Sequence, residues 1–202
     1  MKPVAQTVEW AIAGRALPGE ERSGDAAVAV PHDRGVLLAV VDGLGHGAEA
    51  ADAAERARDE VAARAGESLE RLMGHCHDVL RGMRGAAVAL VDVRRHDPTL
   101  EWLAVGNVEA LVVRDRDEAR RHVDAVLQQA GVVGMQLPAL RPREAPFGAG
   151  DVLVLATDGI TRNFITELRP AWAARPLADW ILRHHGRDND DALALVARRV
   201  AP

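Results

Sequence analysis

The chain has 202 residues, 48% of them hydrophobic, and a formal net charge of -5, which is enough apolar material for one domain with a sizeable core and gives no general attraction to nucleic acid. Lys2 is the only lysine, and Ser23 and Ser68 are the only serines, which removes the P-loop, the Schiff-base lysine and the Gly-x-Ser-x-Gly nucleophile elbow together. The lone Cys76 excludes an internal disulfide framework and fits a reducing compartment, so with no signal-peptide core and no apolar run near the ~20 residues of a membrane span, one cytoplasmic domain over 1–202 with no membrane or nucleic-acid partner is expected.

Residues 4–13 read as a first strand, and 25–30 and 36–41 as two more, parted by the turn-forming run Pro31-His32-Asp33-Arg34-Gly35. Over 48–65 the period changes: Ala50, Ala54, Ala57, Val61 and Ala65 share one face, with Glu55, Arg58, Asp59 and Arg64 elsewhere. This predicts an amphipathic helix that gains little per alanine buried but can lie very close to a sheet, with Gly66 as its stop. Leu69, Leu72, Met73, Cys76, Leu80 and Met83 predict a second helix ending near Gly82 or Gly85. Strand patterns resume at 86–93, 100–105, 110–113 and 152–156, joined mostly by connections too short for helical crossovers, so antiparallel sheets are expected. Between the last two, 115–144 mixes an Arg/Asp run with Gly131, Gly134, Pro138 and Pro142 and reads as either a flap or a surface excursion. Leu177, Trp180, Ile181 and His184 predict a final helix closed by Gly186, and 192–200 a last strand.

Two of these strands share a design. Val36-Leu37-Leu38-Ala39-Val40-Val41 and Val152-Leu153-Val154-Leu155-Ala156-Thr157 each run straight into Asp-Gly, at Asp42-Gly43 and Asp158-Gly159. Asp-Gly is also a common hairpin turn, but neither copy is followed by a second alternating strand, so the turn reading weakens. Asp25 opens one strand, and Asp190 and Asp191 open the last. Carboxylates at four strand edges would form an acidic pocket if those edges converge. Grouped carboxylates raise one another's pKa unless cations compensate, and an oxygen-rich, sulfur-free donor set points to Mg²⁺ or Mn²⁺.

Ser23-Gly24-Asp25, Val41-Asp42-Gly43-Leu44-Gly45-His46-Gly47, Ala156-Thr157-Asp158-Gly159 and Asp190-Asp191 occur in the order of the PPM-type metal-dependent phosphatases, which the chain resembles. Arg84-Gly85-Ala86-Ala87, Val105-Gly106-Asn107-Val108-Glu109 and Gly131-Val132-Val133-Gly134 further resemble the small bacterial RsbX-like, SpoIIE-type branch associated with stressosome signalling. The resemblance implies an α+β fold, a four-layer α-β-β-α sandwich of two antiparallel sheets, with two Mn²⁺ or Mg²⁺ ions at one end. It also implies that Asp42 bridges both metals, that the Gly43 carbonyl binds one, that Asp158 and Asp190 bind the other, and that Asp25 completes the cluster directly or through water. The implied activity is hydrolysis of phosphoserine or phosphothreonine by metal-activated water, with Asp42, Asp158 and Asp190 as the catalytic set. The implied partner is a phosphorylated signalling protein such as a STAS-domain stressosome component.

Other candidates have plainer readings. His46 could donate a proton to the leaving group, but a histidine in a glycine-rich turn is more often positional. His75-Cys76-His77 lacks further ligands for zinc, His184-His185 suits a helix C-terminus, and Arg15 and Arg22 default to solvated surface. Glu49, Asp52, Glu55 and Asp59 fit a solvated helix face, and Asn107 fits a turn between strands. One departure from the family pattern, Leu193 where threonine is usual two residues past the acidic pair, motivates a second reading: a catalytically silent module that binds the same partner.

Overall fold

The computed structural model describes residues 8–115 and 121–200. Five strands, β1 (Val8–Arg15), β6 (Glu109–Asp115), β7 (Arg121–Ala125), β10 (Val152–Ala156) and β11 (Ala192–Arg199), form one sheet in the order β1-β11-β10-β6-β7, antiparallel throughout. The other sheet runs β2 (Asp25–His32), β3 (Gly35–Gly43), β4 (Ala86–Arg94), β5 (Thr99–Val105) and β8 (Gln128–Gln129), with β9 (Arg143–Pro146) also pairing with β5. Helices α1 (Ala48–Ala63) and α2 (Leu69–Val79) cover this second sheet, and α3 (Phe164–Glu167) and α4 (Ala174–His185) cover the first.

Strand periodicity explains the layering. Along β3, Leu38 and Val40 face the opposite sheet while Leu37, Ala39 and Val41 face the helices. Along β10, Leu153 and Leu155 face inward between the sheets, and Val152, Val154 and Ala156 face α3 and α4. Along β11, Leu193, Leu195 and Ala197 take the inter-sheet side. Such strands are apolar on both faces because both faces are covered, which is why they read as continuous hydrophobic runs.

The alanine face of α1 lies where its pattern predicts: Ala50, Ala54, Ala57 and Val61 are fully buried, and the helix packs on β2 and β3. The second helix is shorter than its periodicity suggests. It is capped at the start by Ser68, whose hydroxyl accepts from the Arg71 N–H, and it ends at Val79, with Leu80 buried just beyond.

Two expectations change. The sheets are not both antiparallel, because β8 runs parallel to β5 through Ala104 and Val105. After the β6–β7 hairpin the chain crosses to the other sheet and arrives running in the direction of β5. Of the stretch 115–144, residues 116–120 lie outside the described residues, and 121–144 is no loose excursion: Val126 and Val133 are buried, and Val133 exchanges backbone hydrogen bonds with Ala86. Of the first expected strand, residues 4–7 lie outside the described residues.

Candidate metal centre

Antiparallel pairing places Asp25 directly opposite Asp42. Asp42 has the parity of Leu38 and Val40, so both carboxylates project into the inter-sheet space, just beyond the end of its hydrophobic filling. From the facing sheet, Thr157 continues the parity of Leu153 and Leu155, and Asp191 that of Leu193 and Leu195. Asp158 and Asp190 follow at the adjacent chain ends. The pattern that fills the core thus delivers acidic side chains once each strand leaves it.

Hydrogen bonds tie the two sheets together here. The Thr157 hydroxyl donates to Asp25 Oδ2 at 2.7 Å, and the Leu193 N–H donates to Thr157 Oγ1 at 3.0 Å. Asp191 is 4% exposed and uses both oxygens, accepting from the Leu17 N–H at 2.8 Å and the Gly24 N–H at 2.9 Å. It is therefore a tether between the start of β11 and the 17–24 segment. Asp190 Oδ1 accepts from the Asp191 N–H at 2.9 Å, and Asp158 Oδ2 accepts from Asn107 Nδ2 at 2.7 Å.

The electrostatics are those of an unneutralised acidic cluster. Burial first, then the charge of Asp42, pushes Asp25 up to about 8, although the Thr157 hydrogen bond works the other way. Burial, then Asp158, Asp190 and Asp191, pushes Asp42 up to about 7, and no basic group offsets this. Asp190 is raised by burial and Asp158. Among the described residues no three His, Cys, Asp or Glu side chains are gathered closely enough to hold a metal ion as they stand. The donor chemistry nevertheless fits a hard divalent cation, with carboxylate oxygens, no sulfur or imidazole, and mutual repulsion that such a cation relieves.

The candidates given plainer readings behave accordingly. Arg15 bonds Asp188 and the Arg187 carbonyl, and Arg22 bonds Asp52 and Glu55. His46 Nδ1 meets Glu20 at 2.9 Å and the side chain is 62% exposed. Cys76 is buried, with burial pushing its thiol up to about 12, so it is an apolar filler. Two contacts of the cluster were not foreseen: that of Thr157 with Asp25, and that of Asn107, which sits in the expected turn between β5 and β6, with Asp158. Thr157 carried a signal, its parity with Leu153 and Leu155; Asn107 carried none that separated it from a turn residue.

An α-β-β-α sandwich with carboxylates gathered at one end of its sheets is the architecture of the PPM-type metal-dependent serine/threonine phosphatases. Within that class, the sequence pattern described as Stage II sporulation protein E (SpoIIE) matches residues 32–202, and the chain belongs to that family. It is 23% identical over 142 residues to the phosphoserine phosphatase RsbX of Bacillus subtilis (strain 168), covering 70% of this chain and 69% of that one. Among solved structures, a chain from "The bacterial stressosome: a modular system that has been adapted to control secondary messenger signaling" superposes with a TM-score of 0.86 and 31% identity, covering 95% of this chain and 99% of that one. RsbX in complex with magnesium superposes with a TM-score of 0.84 and 18% identity, covering 95% and 94%. Among the described residues no helix is long and apolar enough to cross a membrane.

Proposed function

We propose that this chain is an active, metal-dependent phosphatase that removes phosphate from serine or threonine of a cytoplasmic signalling protein. The observation that carries the reading is the pairing of Asp25 with Asp42 on the inter-sheet face, with Asp158 and Asp190 close enough to perturb Asp42. Asp42, Asp158, Asp190 and the Gly43 carbonyl, with Asp25 directly or through water, would hold two Mn²⁺ or Mg²⁺ ions. Such an ion pair supplies an activated water and neutralises phosphoryl oxygens. The protein's part is to aim its carboxylates at one place, where the ions would offset the burial and repulsion that otherwise favour their protonated forms.

A cleft of about 460 Å³ opens beside the cluster, lined by Leu44, Ala87, Asn107, Gln128, Ala130 and Val132 among others. Among the described residues its lining carries no charged side chain, which suits the neutral polypeptide flank of a phosphoserine better than a small anion alone. The likeness to phosphoserine phosphatase RsbX and to a stressosome-associated chain supports a phosphorylated STAS-domain stressosome component as the substrate to test first.

The test is hydrolysis of a phosphoserine peptide, and of a phosphorylated STAS-domain protein, with Mn²⁺, with Mg²⁺ and with chelator, alongside Asp42→Asn. Turnover that needs metal and vanishes in the variant, whose circular dichroism stays native, is expected. Full activity in Asp42→Asn would sink the assignment of this site. No hydrolysis, with the phosphoprotein still captured, would make the chain a binding module.

A further inference from the structure

Extending the β6–β10 register, in which Glu109 faces Ala156, by two residues brings Asn107 opposite Asp158. The two side chains meet there, Nδ2 to Oδ2 at 2.7 Å. Because a carboxylate only accepts, the asparagine must present its NH₂ group. Asn107 is held from below: Gly106 has φ 91°, and a Cβ there would lie 2.5 Å from that of Ala87. Ala87 is itself the cross-strand partner of Asp42. The Gly106 N–H also donates to the Gln129 carbonyl at 3.0 Å. The turn carrying Asn107 is thus pressed onto the sheet that presents Asp42, while its amide reaches to the aspartate of the opposite sheet.

On the reading of this site as a metal centre, we propose that Asn107 is a positioning residue for Asp158. Asp158 is exposed, and an exposed carboxylate free to rotate spends part of its time turned away from the cluster. The amide fixes one oxygen and leaves Oδ1 free to face an ion. An arginine in this place would compete with that ion, and a carboxylate would add charge to a cluster already repelling itself. A neutral donor does neither. Partners that orient a ligand from behind are commonly worth a 10–100-fold change in metal affinity.

The test is calorimetric titration of Mn²⁺ into the full chain and into Asn107→Leu, which keeps the volume without the donor, and Asn107→Gln, which keeps the amide on a longer arm. Asn107→Leu should bind Mn²⁺ about tenfold more weakly, with Asn107→Gln between it and the parent. Melts in chelator check the folding of each variant, and Asn107→Ser, whose hydroxyl is too short to reach, replaces the leucine if that variant unfolds. Parent-like affinity in the donorless variant overturns the role of Asn107 alone. A glutamine variant as weak as the leucine overturns it as well, since the amide would then be irrelevant. No Mn²⁺ binding by the parent chain overturns the metal reading and this inference with it.

Discussion

Gly43 and Gly159 follow the two strand-end aspartates for a reason unrelated to turn chemistry. A Cβ on Gly159 would lie 1.8 Å from the Asp191 carbonyl oxygen, and one on Gly43 would lie 2.3 Å from that of Ala50. Both obstacles are backbone atoms, so no side-chain rotation relieves them. The repeated Asp-Gly was legible in the sequence as a pair of strand ends, but the close approach that demands glycine was not, because it depends on how α1 and the start of β11 pack against those ends. Gly159→Ala should therefore destabilise the protein by about 1–3 kcal/mol through overpacking, read as a lowered urea midpoint in chelator. An unchanged midpoint would mean that the backbone around Asp191 shifts at no cost.

At the scale of elements, the strands that were easiest to read are those buried on both faces, such as β3, β10 and β11, whose ends also carry Asp42, Asp158 and Asp190. The helices α1 and α4 were legible from their 3.6-residue period. The two-residue β8 is too short to show a period, and its parallel direction follows from the path of the chain across the sheets, which no local pattern encodes. The four-residue α3 escaped for the same reason. Thr157 shows how the sheets are joined at the site: its hydroxyl donates to Asp25 in one sheet and accepts from the Leu193 N–H in its own. The backbone N–H of Leu193 makes this bond irrespective of its side chain, so leucine in place of the usual threonine leaves the inter-strand tie intact. Thr157→Val keeps the shape but strands a buried N–H, which should cost about 1–3 kcal/mol in a denaturant melt. Thr157→Ser should recover most of it. Equal stability of the valine variant would show that the Leu193 N–H finds another acceptor.

For the whole molecule, the acidic end trades stability for a place to hold cations. Asp25 and Asp42 have folded pKa values of about 8 and about 7, above the ordinary ~3.9 of an unfolded aspartate. Below that ordinary value both states are protonated and nothing is lost. As pH rises toward 8 the unfolded chain releases these protons first, so the stabilising contribution of the neutral carboxyls declines through the window and is gone above the folded pKa. Asp124, held down chiefly by its hydrogen bond to Arg114 against the cost of burial, has the opposite sign and matters at lower pH. In chelator, the melting temperature should fall between about pH 5 and pH 8, and Asp42→Asn should melt higher than the parent at pH 8 because an amide carries no charge to repel. Mn²⁺ should reverse the deficit, since a ligand at 100 times its Kd adds about 2.7 kcal/mol by mass action, and the metal-induced rise should be larger at pH 8 than at pH 5, where protons compete for the same oxygens. A melting temperature independent of pH over this range, together with an Asp42→Asn variant no more stable than the parent, would mean that the carboxylates do not strain the folded chain and that its attraction for divalent ions has another source.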